Sequence, residues 1–328
     1  MILSSADAVN AERPPGRRWF AVVARVAIAA AVVAGVSHRV YRERSKLAAY
    51  EWTFRPGWLV AGGVAYAGGL ATCATFWWMA MRDRGGRPTW ASTLAAYFAG
   101  HLGKYVPGKG LVLVIRASMV RGPGVTAASA AITAAHETLL MMAVGSLVAA
   151  GLLGFVDAPH RDRLLGAALV VAVALATVSS PPVIARLGRL ASRPFVGDSE
   201  LGDHTCRWRT VGVGTVPIVA GWALMGVSLA AVLAATGDWG VLVAARGTAE
   251  TLALVTIVVS LATVGGFVSL MPGGLGSREW IVAETLGPAI GADHALVAAV
   301  LLRLVWIGAE CAAAGMSWLA TCGGIPRS

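Results

Sequence analysis

Long apolar segments alternate with short polar ones along almost the whole chain. Apolar stretches of about 18 residues or more are long enough to cross a bilayer as helices. The polar breaks combine charge with Gly and Pro, as at 39–55, 82–88, 157–163 and 186–209. The pattern predicts an all-α, polytopic membrane bundle with helices at 19–36, 57–81, 88–106, 125–155, 162–180, 211–235, 248–271 and 294–320. Residues 1–18 are predicted to form a disordered cytoplasmic tail, and 19–322 a single transmembrane domain.

Two of the apolar segments are interrupted by a Pro-Gly dipeptide, at Pro107 and at Pro272. The interval from Pro107 to Thr138 equals the interval from Pro272 to Arg303, and an ionisable residue lies at or beside each far position. In membrane proteins, broken apolar segments with buried charges usually line a path or a binding site. We therefore predict a weak internal duplication. The alternative is a coincidence of spacing, because Pro-Gly ends many membrane helices.

The direction of the chain through the membrane depends on the first break. If every segment crosses and the N-terminus is cytoplasmic, the basic loops at 39–55, 104–121 and 186–209 lie outside. That arrangement contradicts the usual excess of Lys and Arg in cytoplasmic loops. If the segment around Pro107 instead re-enters, 82–87, 104–121 and 186–209 all become cytoplasmic. We predict seven or eight spans with one or two re-entrant Pro-Gly segments.

Composition supports the membrane class. Hydrophobic residues make up 57% of the 328 residues and charged residues only 13%, whereas soluble domains carry about 25% charged residues. The net charge of +10 fits basic loops beside anionic lipid headgroups, or a codon bias toward Arg. Basic residues are not interleaved with aromatic ones, which argues against nucleic acid. No nucleophile motif, metal-ligand spacing or nucleotide-binding loop occurs, so we predict no cofactor, no metal and no enzymatic activity.

The two breaks are the candidate substrate-binding positions. A broken helix leaves backbone groups that lipid cannot satisfy, so this backbone must be buried in protein or line a hydrated cavity. A helix that restarts after a break offers free N–H groups to an anion. Basic residues beside the breaks either bind a phosphate-bearing headgroup or only anchor re-entrant loops at the interface: Lys104, Lys109, Arg116 and Arg278. The candidate site also includes Tyr105, Pro107, Gly108, Pro272, Gly273, Gly274, Gly276 and Glu279.

Two charges lie deep in apolar segments, Glu137 in 125–155 and Arg303 in 294–320. A charge near the bilayer centre costs roughly 2.5–3.5 kcal/mol on insertion scales, so each should find a partner or water. We predict that Glu137 and Arg303 pair or share a hydrated cavity. Glu310, on the same helix face as Arg303, is the rival partner. A purely structural ion pair is the alternative to a role in transport.

These residues resemble a known family. An apolar helix runs into Gly-x-x-x-Lys-Tyr-x-Pro-Gly at 100–108, followed by Arg116 and by a helix with Glu137. Pro-Gly-Gly-Leu-Gly-x-x-Glu at 272–279 precedes the helix with Arg303. In this order the motifs are similar to the lysylphosphatidylglycerol synthase transmembrane region, the flippase-like domain family, over about 20–320. The family often has Glu-Arg where this chain has Glu137-Thr138, so no role is assigned to that arginine.

The resemblance implies a flippase-type fold that moves a charged or glycosylated lipid headgroup between leaflets. In lipid-lysylating members a separate soluble aminoacyltransferase domain performs the synthesis; this sequence shows no such domain, and we expect no lysyltransferase activity. We therefore predict a bacterial inner-membrane lipid translocase for an anionic phospholipid, an aminoacylated lipid or a lipid-linked sugar. A glycosyltransferase or aminoacyltransferase is its candidate partner. The rivals are a membrane enzyme of lipid glycosylation, which the short loops oppose, and a non-transporting scaffold or accessory subunit of a glycosyltransferase or synthase.

Overall fold

The computed structural model describes residues 55–105, 110–157, 160–192, 206–269, 274 and 276–322. Within these residues the fold is entirely helical, which confirms the predicted class. Its eleven α-helices are α1 (Pro56–Asp83), α2 (Trp90–Leu102), α3 (Gly110–Met119), α4 (Ala127–Leu153), α5 (Arg161–Val178), α6 (Pro181–Ser192), α7 (Trp208–Thr236), α8 (Asp238–Arg246), α9 (Thr248–Val268), α10 (Ser277–Ile290) and α11 (Ala292–Cys322). A short 3-10 turn, Gly103–Tyr105, follows α2. The predicted tail and the first predicted helix (19–36) lie outside the described residues.

Five helices are long and apolar enough to cross a membrane: α1, α4, α7, α9 and α11. A sixth crossing is added if α5 and α6, which meet at a bend of 61°, are counted as one span. The chain is thus a multi-pass membrane protein. The predicted number of seven or eight spans is not reached within the described residues. The predicted helix 88–106, for example, contains only the 13 residues of α2, which extend about 20 Å, less than the hydrocarbon thickness of about 30 Å.

The helices α1 and α7 form an antiparallel pair. At one end the backbone N–H of Arg55 donates to the carbonyl of Ala235 (3.0 Å). At the other end the carboxylate of Asp83 accepts from the backbone N–H that precedes α7 (2.6 Å). Between these ends, a Cβ on either Gly69 or Gly221 would lie 2.9 Å from the carbonyl oxygen of the other. Small residues let membrane helices approach this closely, so the pair depends on the absence of side chains at the crossing.

The start of the short helix α2 and the end of the short helix α3 lie at the same end of the molecule. The Oγ of Ser92, in the first turn of α2, donates to the carbonyl of Arg121 (2.9 Å) and accepts from its N–H (2.8 Å). Nearby, the N–H of Arg87 donates to the carbonyl of Pro123 (2.8 Å). The helix α2 therefore runs inward from this end, and α3 returns to it. The side chain of Thr126 then caps α4, so α4 starts from this same end.

The start of α9 and the end of α10 lie at the opposite end of the molecule. The guanidinium of Arg246, which ends α8, donates to the carbonyl of Asp157 just after α4 (2.7 Å) and to Glu250 at the start of α9 (2.7 Å). The Nδ1 of His294, at the start of α11, lies 2.6 Å from the carboxylate of Asp238 at the start of α8. A single residue separates α10 from α11. The start of α9 and the finish of α10 thus lie where α4 finishes.

The helix α5 returns alongside α4 and leads into α6. The Nε of Arg161 donates to a carbonyl in the last turn of α4 (2.7 Å), which places the start of α5 beside the finish of α4. Ser179, directly after α5, lies beside His136 of α4. In α6, a Cβ on Gly188 would lie 3.0 Å from Ile132. Because these α4 residues belong to its first turns, α6 lies at the end of the molecule where α2 begins.

The core lies between the long helices, and its largest side chains form hydrogen bonds as well as packing contacts. Trp222 of α7 is buried against Gly145 of α4, and its Nε1 donates to the carbonyl of Met141 (3.0 Å). The Nε1 of Trp77, from α1, donates to the hydroxyl of Thr133 (3.1 Å). A buried indole N–H without an acceptor is destabilising, so these bonds fix α4 against both α1 and α7. This fixed helix carries the first carboxylate of the candidate site.

Candidate functional site

The two predicted breaks fall between helices, but the Pro-Gly dipeptides themselves lie outside the described residues. Six predicted positions are affected: Pro107, Gly108, Lys109, Pro272, Gly273 and, for its side chain, Tyr105. Their part in binding stays a prediction. The flanking residues are described, and they form three ion pairs between helices.

The first ion pair is buried and joins α3 to α4. The Nη1 of Arg116 lies 2.6 Å from Oε2 of Glu137, and the two side chains are 2% and 0% exposed. The other carboxylate oxygen accepts a hydrogen bond from the hydroxyl of Tyr97 (2.7 Å). The guanidinium carbon lies 3.9 Å from the centre of the Tyr97 ring. Both charges thus have close partners, which a charge pair removed from water requires.

The side chain of Arg116 passes over a glycine of α2 to reach Glu137. A Cβ on Gly100 would lie 2.5 Å from Cγ of Arg116, so glycine leaves the necessary room. The Nη2 of Arg116 also lies 3.3 Å from Nδ1 of His101. Tyr97, Gly100 and His101 share one face of α2, at positions i, i+3 and i+4. That spacing is the signal in the sequence that identifies Tyr97 and His101, both of which the prediction from sequence missed.

The second ion pair joins α10 to α11. Arg303 forms a salt bridge with Oε1 of Glu279, and Oε2 accepts from the backbone N–H of Gly276 at the start of α10 (2.8 Å). Gly274 and Gly276 have φ values of 67° and 80°, a left-handed conformation that glycine adopts without steric strain. The glycines of the second motif therefore shape the turn that places Glu279 in front of Arg303.

The third ion pair joins the end of α2 to α11. The ammonium of Lys104 forms a salt bridge with Oε1 of Glu310, whose side chain is fully buried. The hydroxyl of Tyr66, from α1, donates to the same oxygen. The Tyr66 ring stacks on Trp306 of α11, with 4.2 Å between the ring centres. Residues of α1, of the turn that ends α2 and of α11 therefore meet at Glu310, which connects α11 to the first break.

The predicted pairing of Glu137 with Arg303 is wrong, and so is the rival pairing of Arg303 with Glu310. Glu137 is paired with Arg116, and Arg303 with Glu279. On a single helix, seven residues correspond to about 10 Å along the axis, so Glu310 is too distant from Arg303 for a direct bond. Glu137 is paired differently because α3 returns along α4 and brings an arginine to the carboxylate.

A small cavity lies between α9, α10 and α11. Its volume is about 40 Å³, which leaves room for at least one water molecule. Three charged side chains and one hydroxyl line it, among apolar residues: Arg278, Glu279, Arg303, Thr263, Val259, Ala262, Val282, Ala299, Leu302 and Trp306. Glu137 does not line this cavity, so the predicted sharing of one cavity with Arg303 is not met here.

Arg278 brings the second break close to the first. Its side chain lies in a notch of two glycines, since a Cβ on Gly266 or Gly274 would lie 2.7 or 2.8 Å from its Nε. The charges of Arg278 and Arg303 both act on Lys104, so the start of α10 lies near the end of α2. We refer to five residues as the central charge cluster: Lys104, Arg278, Glu279, Arg303 and Glu310.

The cysteine and histidine residues elsewhere in the described part of the chain show no arrangement for covalent or metal chemistry. Burial, and secondarily the charge of Asp83, raises the pKa of Cys206 to about 12, so its thiol is a poor nucleophile at neutral pH. His136 packs edge-on against Phe76, with 5.2 Å between the ring centres. Among the described residues, no group of three or more His, Cys, Asp and Glu could hold a metal ion.

Comparison with known proteins bears on the resemblance seen in the sequence. The family model "Lysylphosphatidylglycerol synthase TM region" matches residues 22–307. The matched region contains both Pro-Gly segments and, apart from Glu310, every residue of the three ion pairs. No curated protein and no solved structure matched the chain. The family model covers most of the chain and agrees with its helical membrane fold, so the chain belongs to the lysylphosphatidylglycerol synthase transmembrane-region family.

Proposed function

We propose that this chain is a lipid translocase of the cell membrane, which moves an anionic, aminoacylated or glycosylated lipid headgroup between leaflets. The observation that carries the proposal is the meeting of two broken-helix regions at the central charge cluster. Ionisable residues are rare inside membrane proteins, and those present commonly mark a substrate path. Membership of the family supports a role linked to lipid modification or translocation.

The proposed path has two halves that enter from opposite ends. The α2–α3 pair starts and finishes at one end and the α9–α10 pair at the other, as re-entrant segments do. The first residues of α4 and α11, Ala127 and Ala292, are separated along the chain by the same interval as Pro107 and Pro272. The equal interval supports an internal duplication. Reversed entry of two repeats is a known way to build a central binding site in transporters.

The charges of the two ends favour one orientation. The end where α2 begins, which we call the arginine-rich end, includes eight arginines and one carboxylate among its described residues: Arg82, Arg84, Arg87, Arg121, Arg186, Arg189, Arg207, Arg209 and Asp83. The described residues of the opposite end include four arginines and five carboxylates: Arg55, Arg161, Arg163, Arg246, Asp157, Asp162, Asp238, Glu250 and Asp293. Because cytoplasmic loops carry an excess of basic residues, we assign the arginine-rich end to the cytoplasm.

In the proposed mechanism the lipid phosphate exchanges partners with the central charge cluster. Lys104 and Arg278 hold the phosphate, together with Lys109 beside the first break. While lipid is absent, the carboxylates of Glu279 and Glu310 pair with the basic side chains of the cluster. When the lipid arrives, its phosphate takes the place of these carboxylates. Charge-assisted hydrogen bonds of this kind are strong in a site with little water.

Arg116 and Glu137 have a different part in this mechanism. Their salt bridge is buried, so a lipid phosphate reaches Arg116 only if that bridge breaks. We assign both residues to positioning: they hold α3 against α4 and thereby fix one side of the first break. The mechanism contains no covalent step, and we propose that the chain is not an enzyme.

The test is the rate of lipid movement in proteoliposomes that contain a fluorescent anionic phospholipid. A reductant added outside bleaches the outer leaflet, and further bleaching reports transfer from the inner leaflet. We expect the protein to accelerate this second phase. The Lys104→Gln and Arg278→Gln variants should each slow it roughly ten- to hundredfold, the effect of losing one charged hydrogen bond. Arg163→Gln, which alters an exposed arginine of the opposite end, is the matched control and should leave the rate unchanged.

Equal bleaching in empty vesicles and in proteoliposomes contradicts the translocase proposal. The alternative function is a non-transporting scaffold or accessory subunit of an envelope lipid glycosyltransferase or synthase. That alternative predicts background lipid movement for the unmodified chain and full activity of the partner enzyme beside the Lys104→Gln variant.

A further inference from the structure

The helix α6 has one buried face and, beside it, an exposed apolar stripe. Ile184 and Gly188, one turn apart, are buried, and Gly188 lies against Ile132 of α4. Leu187 and Leu190 are 46% and 60% exposed. Since successive helix residues are about 100° apart, these two leucines lie on one flank of the buried face. Within the described part of the chain, no other helix covers this flank.

Two arginines lie on the rest of the exposed surface of α6. Arg186 and Arg189 are three residues apart and both exposed. The helical repeat places Arg189 on the other flank and Arg186 opposite the buried face, one turn before Leu190. The helix contains no Asp or Glu between its first and last residues. Its exposed surface is therefore divided into an apolar flank and a cationic flank.

The helix α6 lies across α4 rather than along it. Ser179, just before α6, lies beside His136, whereas Gly188 lies against Ile132. The segment from Ser179 to Gly188 is about 13 Å long as a helix, yet its contacts advance only about 6 Å along α4. The bend of 61° between α5 and α6 agrees with this inclination. If α4 crosses the bilayer, α6 lies nearer to the membrane plane than to the membrane normal, at the arginine-rich end.

We propose that α6 is an interfacial helix that binds the headgroups of anionic phospholipids at the arginine-rich end. Leu187 and Leu190 insert among the acyl chains, while Arg186 and Arg189 contact phosphates at the headgroup level. Helices divided in this way lie in the membrane interface and bind more strongly when the surface is anionic. The occupant is a lipid because the two unlike flanks match the two layers of a leaflet, apolar below and negatively charged above. The central charge cluster takes no part in this binding.

The test measures which lipid surrounds α6. The full chain carries a bimane label at Leu190→Cys, with its other cysteines replaced by serine, in phosphatidylcholine vesicles. Brominated phosphatidylglycerol or brominated phosphatidylcholine is added at the same fraction, and each quenches the label only at short range. We expect the anionic lipid to quench more effectively by roughly fivefold or more, the preference expected for one basic residue near an anionic surface. High salt should reduce the preference, because it screens exposed charges.

Charge variants separate α6 from the net charge of the protein. Arg186→Gln/Arg189→Gln should abolish the preference, and Arg186→Lys/Arg189→Lys should keep most of it. Arg207→Gln/Arg209→Gln, which removes two exposed arginines from the same end but outside α6, is the matched control and should keep it in full. Equal quenching by both lipids in the unmodified chain overturns the proposal. So does quenching by aqueous iodide with none by either lipid, because the leucines would then face water or a protein partner.

Discussion

The pair formed by Arg116 and Glu137 is supported by further contacts of both charged groups. Glu137 accepts from Tyr97 as well as from the guanidinium, and the Tyr97 ring lies beneath the guanidinium. Gly100 provides the space that the arginine side chain crosses. Removing both charges from water is costly, and the added hydrogen bonds offset part of that cost. The pair therefore acts as a fixed connection between α3 and α4.

The first prediction concerns the loss of one member of this pair. Glu137→Gln leaves the guanidinium of Arg116 buried without its counter-charge, so the free energy of unfolding should fall by about 3–5 kcal/mol. Glu284→Gln, which alters an exposed carboxylate of α10, is the control and should change it by less than about 0.5 kcal/mol. Unfolding by sodium dodecyl sulfate in mixed micelles measures both. The double variant Arg116→Met/Glu137→Gln should recover part of the loss; equal losses in Glu137→Gln and Glu284→Gln would show that the pair is not a connection.

The sequence predicted Arg116 and Glu137 as site residues but not their partnership. A charge deep in an apolar segment is visible in the sequence because of its cost. Its partner is not visible, because pairing depends on where α3 returns. Tyr97 and His101 could be predicted in part. Once 90–102 is taken as a helix, their spacing places both side chains on one face.

The helices α1 and α7 show how small residues determine a contact between whole elements. Gly69 and Gly221 oppose each other so closely that each backbone carbonyl occupies the space of the other's side chain. Such contacts replace the hydrophobic effect as a source of helix association inside a bilayer. The α1–α7 pair holds Asp83 and Ala235 at opposite ends, and thereby separates the two ends of the molecule.

The second prediction tests this crossing. In Gly221→Ala, the new methyl group meets the carbonyl of Gly69 at 2.9 Å, and backbone cannot move aside as a side chain can. We expect a loss of about 1–3 kcal/mol in the free energy of unfolding. Gly212→Ala, on the same helix with no atom within 4 Å, should be neutral or stabilising by up to about 1 kcal/mol. Denaturation in detergent compares the two, and similar losses would contradict a close α1–α7 crossing.

The long helices were predicted from sequence within a few residues, whereas the short ones were not. The predicted segments 57–81, 211–235 and 248–271 correspond to α1, α7 and α9, because a bilayer-spanning apolar length is a strong signal. The helices α6, α8 and α10 were not predicted separately, since each is short, mixed in polarity or close to a break. The pattern at 88–106 predicted a full helix, but α2 is short and α3 returns to the end where α2 begins. Contacts of Arg121 and Pro123 with residues at that end hold α3 there.

Among the described residues, the two ends of the molecule differ in charge. The arginine-rich end contains the segments before α2 and after α3, and the opposite end contains the carboxylate-rich segments beside α8. Neither the first predicted helix nor the tail is needed for this comparison. Because α2 and α3 return to their starting end, both of their outer segments should share one side of the membrane.

The third prediction concerns that sidedness. In a chain without native cysteines, single cysteines replace the exposed residues Arg87, Arg121 and Arg163. A membrane-impermeant maleimide added to intact cells should label Arg163→Cys, and it should label Arg87→Cys and Arg121→Cys only after permeabilisation. Labelling of Arg87→Cys and Arg121→Cys from different sides would show that α2 and α3 cross the membrane. Labelling of both from outside would reverse the assigned orientation.

The ion pair between Lys104 and Glu310 has no counterpart at the positions that the spacing of the two Pro-Gly segments relates to it. On the interval that relates Pro107 to Pro272, Ser269 corresponds to Lys104 and Gly145 to Glu310. A hydroxyl and a glycine cannot form an ion pair, so the spacing that relates the two Pro-Gly segments does not repeat this bridge. In the proposed translocase, the conformation with this bridge is the resting state. The lipid phosphate must then take over the ammonium of Lys104 before the protein leaves that conformation.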